Sequence, residues 1–414
     1  MAAPRGRINA LAVDSTPAEA PTLLDTLSSA PAAAALVVAA LGQDDREALR
    51  LAHSELRDAV GEATTKLTVD LSAAAAPTPA RWPRLKELRV INFDLAALET
   101  LGVETWGCLH SLRLERPILH PFRFDTPSAR ALAAALPRMP ALRALELRHL
   151  LLPDTSASEL FRASSAEDAP QLRALTIWDA GLLPTAARAL AATGWRLEEL
   201  IVYYGRLGAA GLAALLTAPT FAIRCLVLAD CSLDAAALLA LANAPWPLEE
   251  LGLFSNNLSA AAAAPALSAL SRHGGLRRLG VAGCSLSAAG FKALVEAAWP
   301  ALTSLNAKKA EARFNGPHAL GAAAFAGFPA LEELDLYGVP LGKAGASVLA
   351  SRRWPRLWWL NLGRAQLGDA GAAALARGAW PALEELDLRD NDLGAPLTLE
   401  DARRWAPALV ELQQ

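Results

Sequence analysis

The sequence predicts an α/β solenoid, with one short strand and one helix per unit and the strands stacked into a parallel sheet. Two observations predict it. A phrase with Leu at its first, fourth and sixth positions keeps returning, as in WPALEELDLRDNDLG, WPRLWWLNLGRAQLG and FPALEELDLYGVPLG. Between phrases, small and apolar residues recur four apart, the spacing that lays a stripe along one helix face. A chain of 414 residues ordinarily divides into two or three domains, but an internal repeat overrides that expectation.

The frame is L-x-x-L-x-L-x-x-(N/C)-x-L. Its first position falls at Leu85, Leu109, Leu142, Leu172, Leu197, Ile223, Leu248, Leu276, Leu302, Leu331, Leu357, Leu383 and Leu409. The mean step is about 27 residues, within the range of leucine-rich repeats. Position four is Leu throughout, as at Leu88, Leu226 and Leu386. From about residue 64 to 414 the chain therefore resembles a leucine-rich repeat protein. Several units continue as LGAAGLAALL, LSAAGFKALV, LGKAGASVLA and LGDAGAAALA. Gly211, Gly290, Gly345 and Gly371 stand four past the frame's last Leu, and Leu215, Leu294, Leu349 and Leu375 eight past it. This half resembles the ribonuclease-inhibitor-like class, which implies strands on a concave side and helices on a convex side of a horseshoe. The small residues are expected to let each helix sit close against its strand.

Some units depart from the frame. Repeat nine, LTSLNAKKAEARF, has Ala307, Ala310 and Ala312 where larger residues are usual, and is expected to be locally weak. The long step from Leu109 to Leu142 contains RPILHPFRFDTP, read as a surface insertion. The ladder position is Asn only at Asn256 and Asn391, with Cys231 and Cys284 as substitutes and Phe93, Pro117, Val339 or Ala elsewhere. An incomplete ladder leaves buried backbone groups to find other partners. Gln414 falls within the thirteenth strand, which is expected to be an edge.

Ahead of the solenoid, residues 1–21 show little apolar periodicity and are expected to form a mobile tail. Residues 22–66 are expected to be a helical module. One helix is predicted from Pro31 to Leu41 with Gly42 as its stop, and a second opens at Asp44 with Glu47 three residues on. The alternation Leu67-x-Val69-x-Leu71 then reads as a strand, a unit zero of the solenoid. The segment APAAAALVVAALGQDDREALRLAHSELRDAV resembles the two-helix run of an F-box, although the leading Leu-Pro is missing and Leu56 stands near where a Trp is common. That resemblance implies a cullin-adaptor subunit docking at residues 31–66. The other reading is a cap that shields the first repeat's core, which every solenoid needs.

No chemistry is legible. The chain has no Walker loop, GxGxxG, GxSxG or HExxH, and its six His are scattered without ligand spacing. Cys108, Cys225, Cys231 and Cys284 form no CxxC and read as reduced thiols. Paired glutamates such as Glu384-Glu385 and Glu332-Glu333 recur as part of the repeat. No catalytic residue, cofactor or metal is predicted. A net charge of −3 argues against nucleic acid, which calls for a basic surplus or stripe. The longest apolar run, Pro31 to Leu41, is about half of the ~20 residues a membrane span requires. A cytoplasmic protein is expected, with cytoskeletal, ciliary or nuclear placement as alternatives.

Frame positions three, five, seven and eight are expected to point into the concave side. They hold Trp178, Tyr203, Tyr204, Phe254, Tyr337 and Trp359, including every Tyr in the chain. Aromatics on a rigid open surface are the composition of a binding hot spot, though packing between neighbouring strands would also account for them. Charged residues flank them: Arg89, Arg113, Glu115, Arg116 and Arg148 early, Asp335, Asp387, Arg389 and Asp390 late. By contrast, Trp82, Trp106, Trp299, Trp354 and Trp380 stand three before a frame Leu, and Trp195 and Trp246 two before, which predicts core packing. The expected function is a non-enzymatic protein–protein interaction scaffold, in its sharpest form the substrate receptor of a cullin-type ubiquitin ligase. Alternatives are a ribonuclease-inhibitor-like binding module, a cytoskeletal or ciliary scaffold, and, remotely, a GTPase activator.

Overall fold

The computed structural model describes residues 65–71, 78–80, 82–116, 123–165, 170–180, 182–310, 320–394 and 397–414. They divide into two compact units, Met1–Glu198 with Ala218–Phe221, and Glu199–Thr217 with Ala222–Gln414. The tail predicted at 1–21 and the helices predicted within 31–63 lie outside the described residues.

The first unit contains strands β1 (Lys66–Asp70), β2 (Glu87–Ile91), β3 (Ser111–Glu115), β4 (Ala144–Leu152) and β5 (Ala174–Ala180). They pair in chain order, all parallel. Helices α1 (Leu95–Leu101), α2 (Thr126–Ala135), α3 (Asp154–Ala163) and α4 (Pro184–Ala191) alternate with them. Leu88, Leu112, Leu145 and Leu175 stand directly opposite one another, as do Val90, Leu114, Leu147 and Ile177. All are buried. The alternating strand predicted at Leu67 is β1, with Leu67 opposite Leu88 and Val69 opposite Val90.

The second unit repeats the pattern with β6 (Glu199–Tyr203), α5 (Gly208–Leu216), β7 (Cys225–Ala229), α6 (Ala235–Ala242), β8 (Glu250–Gly252), α7 (Ala263–Leu270), β9 (Arg278–Gly280), α8 (Ala288–Glu296) and β10 (Ser304–Asn306). It continues through β11 (Glu333–Asp335), α9 (Gly342–Ala350), β12 (Trp359–Asn361), α10 (Gly368–Leu375), β13 (Glu385–Asp387), α11 (Leu399–Arg403) and β14 (Glu411–Gln413). Position-four leucines are in register from Leu200 in β6 to Leu412 in β14. Both units are leucine-rich repeat solenoid. Because side chains alternate along a strand, positions four and six go to the helix side and three, five and seven to the other, open face. Among the described residues no helix is long and apolar enough to cross a membrane.

The tryptophans close the helices. Trp106, Trp299, Trp354 and Trp380 are buried, and each donates its indole N–H to the carbonyl five residues back: Leu101 at 3.2 Å, Leu294 at 2.9 Å, Leu349 at 2.9 Å and Leu375 at 3.0 Å. Those carbonyls lie in the last turn of a helix, where the regular helical N–H partner is lost; Leu349 and Leu375 also accept from the Arg352 and Gly378 N–H groups at 3.1 and 2.9 Å. The three-residue lead over the frame Leu is what reaches them. Trp195 and Trp246, one residue closer to the frame, are equally buried, and their indole nitrogens find no protein partner. Trp354 and Trp380 also stack, their ring centroids 6.4 Å apart and nearly coplanar at 7°.

Position eight lies in the left-handed region in every frame repeat that reaches it except that of β3, where Arg116 stands. Asn92, His149, Asp179, Tyr204, Asp230, Ser255, Gly283, Lys309, Gly338, Arg364 and Asp390 have φ between 48° and 73°. Only two of these are Gly, so the repeat imposes the turn on whatever residue occupies the place. Asn256 supports the following loop: its Oδ1 accepts from the Cys231 and Leu233 N–H groups, and its Nδ2 donates to the Leu228 and Leu253 carbonyls. Asn391 makes the equivalent set with Ala365, Leu367, Leu362 and Leu388. Cys231 and Cys284 make a smaller set, their Sγ atoms donating to the Val202 carbonyl at 3.5 Å and the Leu253 carbonyl at 2.8 Å.

The described residues hold fourteen strands, the thirteen of the frame and the unit zero read at Leu67. One sequence expectation needs adjustment. The helix glycines do not chiefly serve close approach to the strand. A Cβ on Gly345 would stand 2.7 Å from Leu341 Cβ, and one on Gly371 2.8 Å from Leu367 Cβ, so each makes room for the Leu that opens its own helix. In repeat nine, Ala307 and Ala310 are buried, the described residues 322–327 form turns rather than a helix, and Ala312 lies outside the described residues. Of the predicted insertion, residues 117–122 also lie outside.

Leu386 is 2% exposed and stands between Leu360 and Leu412 in the sheet. Leu386→Asp places a carboxylate among apolar side chains with no cation at hand, a change that costs several kcal/mol. We expect the C-terminal repeats to unfold together, seen as a lowered first transition in thermal melting. An unaltered melt would mean that Leu386 is not a core position.

Candidate protein-binding face

On the open face of the first unit, the early charges pair with one another. Arg89 donates to Glu115 at 3.0 Å, Arg113 to the same carboxylate at 2.8 Å, and Arg148 to Glu146 at 3.0 Å, with Arg113 3.8 Å from Glu146. The guanidinium of Arg148 lies 5.0 Å from the ring of Trp178, its register partner in β5. His149 stands 5.5 Å from the same indole and 2.9 Å from the Asp179 carboxylate. Trp178 thus ends a chain of alternating charge that runs from β2 to β5.

The second unit holds the other five predicted residues, and they fall into distinct settings. Tyr203 is half-buried at the end of β6, and Tyr204, in the left-handed turn, is 48% exposed. Phe254 is the ring most clearly fitted into the sheet. A Cβ on Gly280 would lie 2.3 Å from its Cζ and one on Gly252 2.7 Å from a ring carbon, so two position-five glycines form the bed on which it rests. The ring is half-buried and packs on the sheet face through these two glycines. Tyr337 is half-buried beside Gly363, whose missing Cβ makes room for the ring at 2.7 Å. Trp359 is half-buried and stands between Glu333 and Glu385 in register.

Beneath Tyr337 runs a row of which the sequence reading named only Asp335 and Asp387, as charged flanks. Asn306, Asp335, Asn361 and Asp387 occupy position five of four adjacent strands, each opposite the next. Each Oδ1 accepts the backbone N–H two residues on, at 3.1, 3.0, 3.0 and 3.0 Å, which fixes the strand's exit into the turn. Asp335 is 5% exposed. Burial pushes its pKa up to about 6, against the lowering pull of the Tyr337 N–H and Lys308, with Asp387 adding repulsion. Burial likewise pushes the Cys225, Cys231 and Cys284 thiols up to about 12, so all three are protonated at neutral pH. Among the described residues no group of three or more His, Cys, Asp or Glu is placed to hold a metal ion.

Two changes probe this face. Because Asp335 binds its proton more tightly folded than unfolded, stability from this group rises as pH falls from about 6 toward 4. Asp335→Asn keeps the acceptor for Tyr337 and removes the buried charge. We expect it to be more stable than the native protein at pH 7, by on the order of 2 kcal/mol, with the difference vanishing near pH 4 in paired denaturant titrations. Gly280→Ala drives the Phe254 ring off its bed, and the same titrations should show a loss of about 1–3 kcal/mol. An unchanged midpoint would mean that the ring swings into solvent at no cost.

No family profile and no curated protein sequence matches this chain. Solved structures similar to it include the yeast Rad7–Elc1 complex and the TLR13–ssRNA13 complex. The yeast Rad7–Elc1 complex contains a chain with 15% identity and a TM-score of 0.44, the match covering 94% of this chain and 97% of that one. A TLR13 chain, solved with a single-stranded RNA, shares 17% identity with a TM-score of 0.34 over 80% of this chain and 36% of its own length. The present chain therefore spans about a third of that TLR13 chain.

Proposed function

We propose that this chain is a non-enzymatic protein–protein interaction scaffold that holds its partner on the open face of the sheet. One observation carries the reading. Frame positions one, four and six are buried repeat after repeat, which leaves the facing positions free to hold half-exposed aromatic and charged side chains on a fixed lattice. Such a surface loses little conformational freedom on binding, and aromatics set on it are the residues that carry interface energy.

A finer reading makes it a substrate receptor of a cullin-type ubiquitin ligase, with residues 31–66 docking the adaptor. What supports it is the F-box-like two-helix run. The Rad7 structure, solved in complex with Elc1, is a likeness of fold only. The ribonuclease-inhibitor-like class remains a proposal of the same standing, supported by the alternation of strand and helix in most repeats.

Tyr203→Ala with Tyr204→Ala tests the scaffold. Against a partner captured from native extract, we expect affinity to fall by a factor of ~30 or more while the melting temperature barely moves. Trp380→Ala should do the reverse, losing about 3–5 kcal/mol of stability with its core packing and its bond to Leu375. If the tyrosine pair destabilises as Trp380 does and binding survives, the open-face aromatics serve packing.

A further inference from the structure

The cations on the open face of the second unit are not alike. Arg278 pairs with Glu250, Arg364 with Asp390 at 2.9 Å, and Arg389 with Asp387 at 2.7 Å. Lys308 and Lys309 form no ion pair among the described residues. They lie instead against Tyr337, their ammonium groups 5.0 and 5.6 Å from the ring centroid, with the Arg364 guanidinium 5.8 Å away. Arg364 is neutralised by Asp390, and Lys308 also faces the buried Asp335 carboxyl. The positive charge left at this ring is therefore that of the two lysines, which the π face attracts without neutralising. Position three is Arg278 in β9, paired with Glu250, then Ser304, Glu333, Trp359 and Glu385. The lysines occupy positions seven and eight of their repeat, the strand end that also holds Asp390 paired with Arg364.

We infer that Lys308 and Lys309, gathered on Tyr337, are the anchor for an acidic peptide segment of the partner, which lays its carboxylates at the C-terminal end of β10 and β11. This rests on the scaffold reading and names the partner's chemistry. Charge complementarity selects the occupant. A carboxylate at this end completes the ion pairs that the sheet leaves unmade, and the aromatic floor dries them. A nucleic-acid strand carries a charge on every phosphate and would also meet Asp387 in β13 and Asp390 just past it. A short peptide can present acidic residues at one end and neutral ones at the other. Repeat nine, whose small residues read as weakness in the sequence, is thus the unit that carries the anchor.

The test uses the full chain and a fluorescein-labelled polyglutamate peptide, followed by anisotropy at rising salt. Lys308→Gln with Lys309→Gln is expected to weaken binding roughly fivefold to thirtyfold and to flatten the salt dependence, while Lys308→Arg with Lys309→Arg retains it. Thermal melts of both variants should match the native protein, since neither lysine is buried. Absence of polyglutamate binding, equal binding by the Gln variant, or equally tight binding of a single-stranded DNA oligonucleotide overturns the assignment. So does a captured partner that binds the Gln variant with full affinity. In that last case loss of the partner on changing Tyr203 and Tyr204 would leave the scaffold reading standing, so the two ideas fail separately.

Discussion

Everything in this protein depends on one constraint, that like residues of successive repeats stand opposite one another in a parallel sheet. A Leu at position four meets a Leu at position four, from Leu88 to Leu175 in one unit and from Leu200 to Leu412 in the other. A shift of one residue would turn every such leucine to the open face and bring polar side chains inward. The core is therefore a set of columns, and each column is stabilised only by the repeats on either side. From β8 onward strands of three residues suffice, because the buried columns and the turns do the positioning.

The open face obeys the same register with different chemistry. In the first unit it alternates arginine and glutamate, so register converts into a chain of ion pairs from Arg89 to Arg148. Exposed pairs of this kind add little stability individually, and their effect is to order long side chains. In the second unit the middle row passes from Val227 through Gly252 and Gly280 to Asn306, Asp335, Asn361 and Asp387. The glycines seat a ring, and the amides and carboxylates bond the backbone ahead of them. A carboxylate serves as well as an amide in that bond, at the expense of holding a charge out of water, which is why Asp335 is the residue whose proton affinity the fold disturbs.

The repeat frame was legible because it recurs. The leucine columns, the strand at Leu67, the alternation of strand with helix and the tryptophans as core all follow from spacing, except that Trp82, ahead of the first frame Leu, is only half-buried. Less visible were features that depend on contacts between repeats. A reader of the sequence sees Phe254 and Gly280 as separate letters, and only the register sets the ring above the glycine. The same is true of Lys308, Lys309 and Tyr337, which lie in different repeats. The tryptophan lead of three residues was noticed, but its purpose, reaching the final helical carbonyls, is a matter of distance. Of the aromatic set, the sequence correctly placed the six on strand ends and strand faces. It could not separate the seated Phe254 from the exposed Tyr204, since both occupy the same few columns.

The left-handed residue at position eight gives the fold an unusual latitude. Asn, His, Asp, Tyr, Ser, Lys and Arg all occupy it within this one chain, with the backbone bent the same way in every frame repeat that reaches it except that of β3. The strain of placing a side-chain-bearing residue there, about 1–2 kcal/mol, is nearly independent of which side chain it is. Architecture and surface chemistry are thereby uncoupled: a duplicated repeat can exchange its position-eight residue without renegotiating its packing. Recognition in such a protein can drift toward a new partner one repeat at a time, while the solenoid beneath it stays as it was.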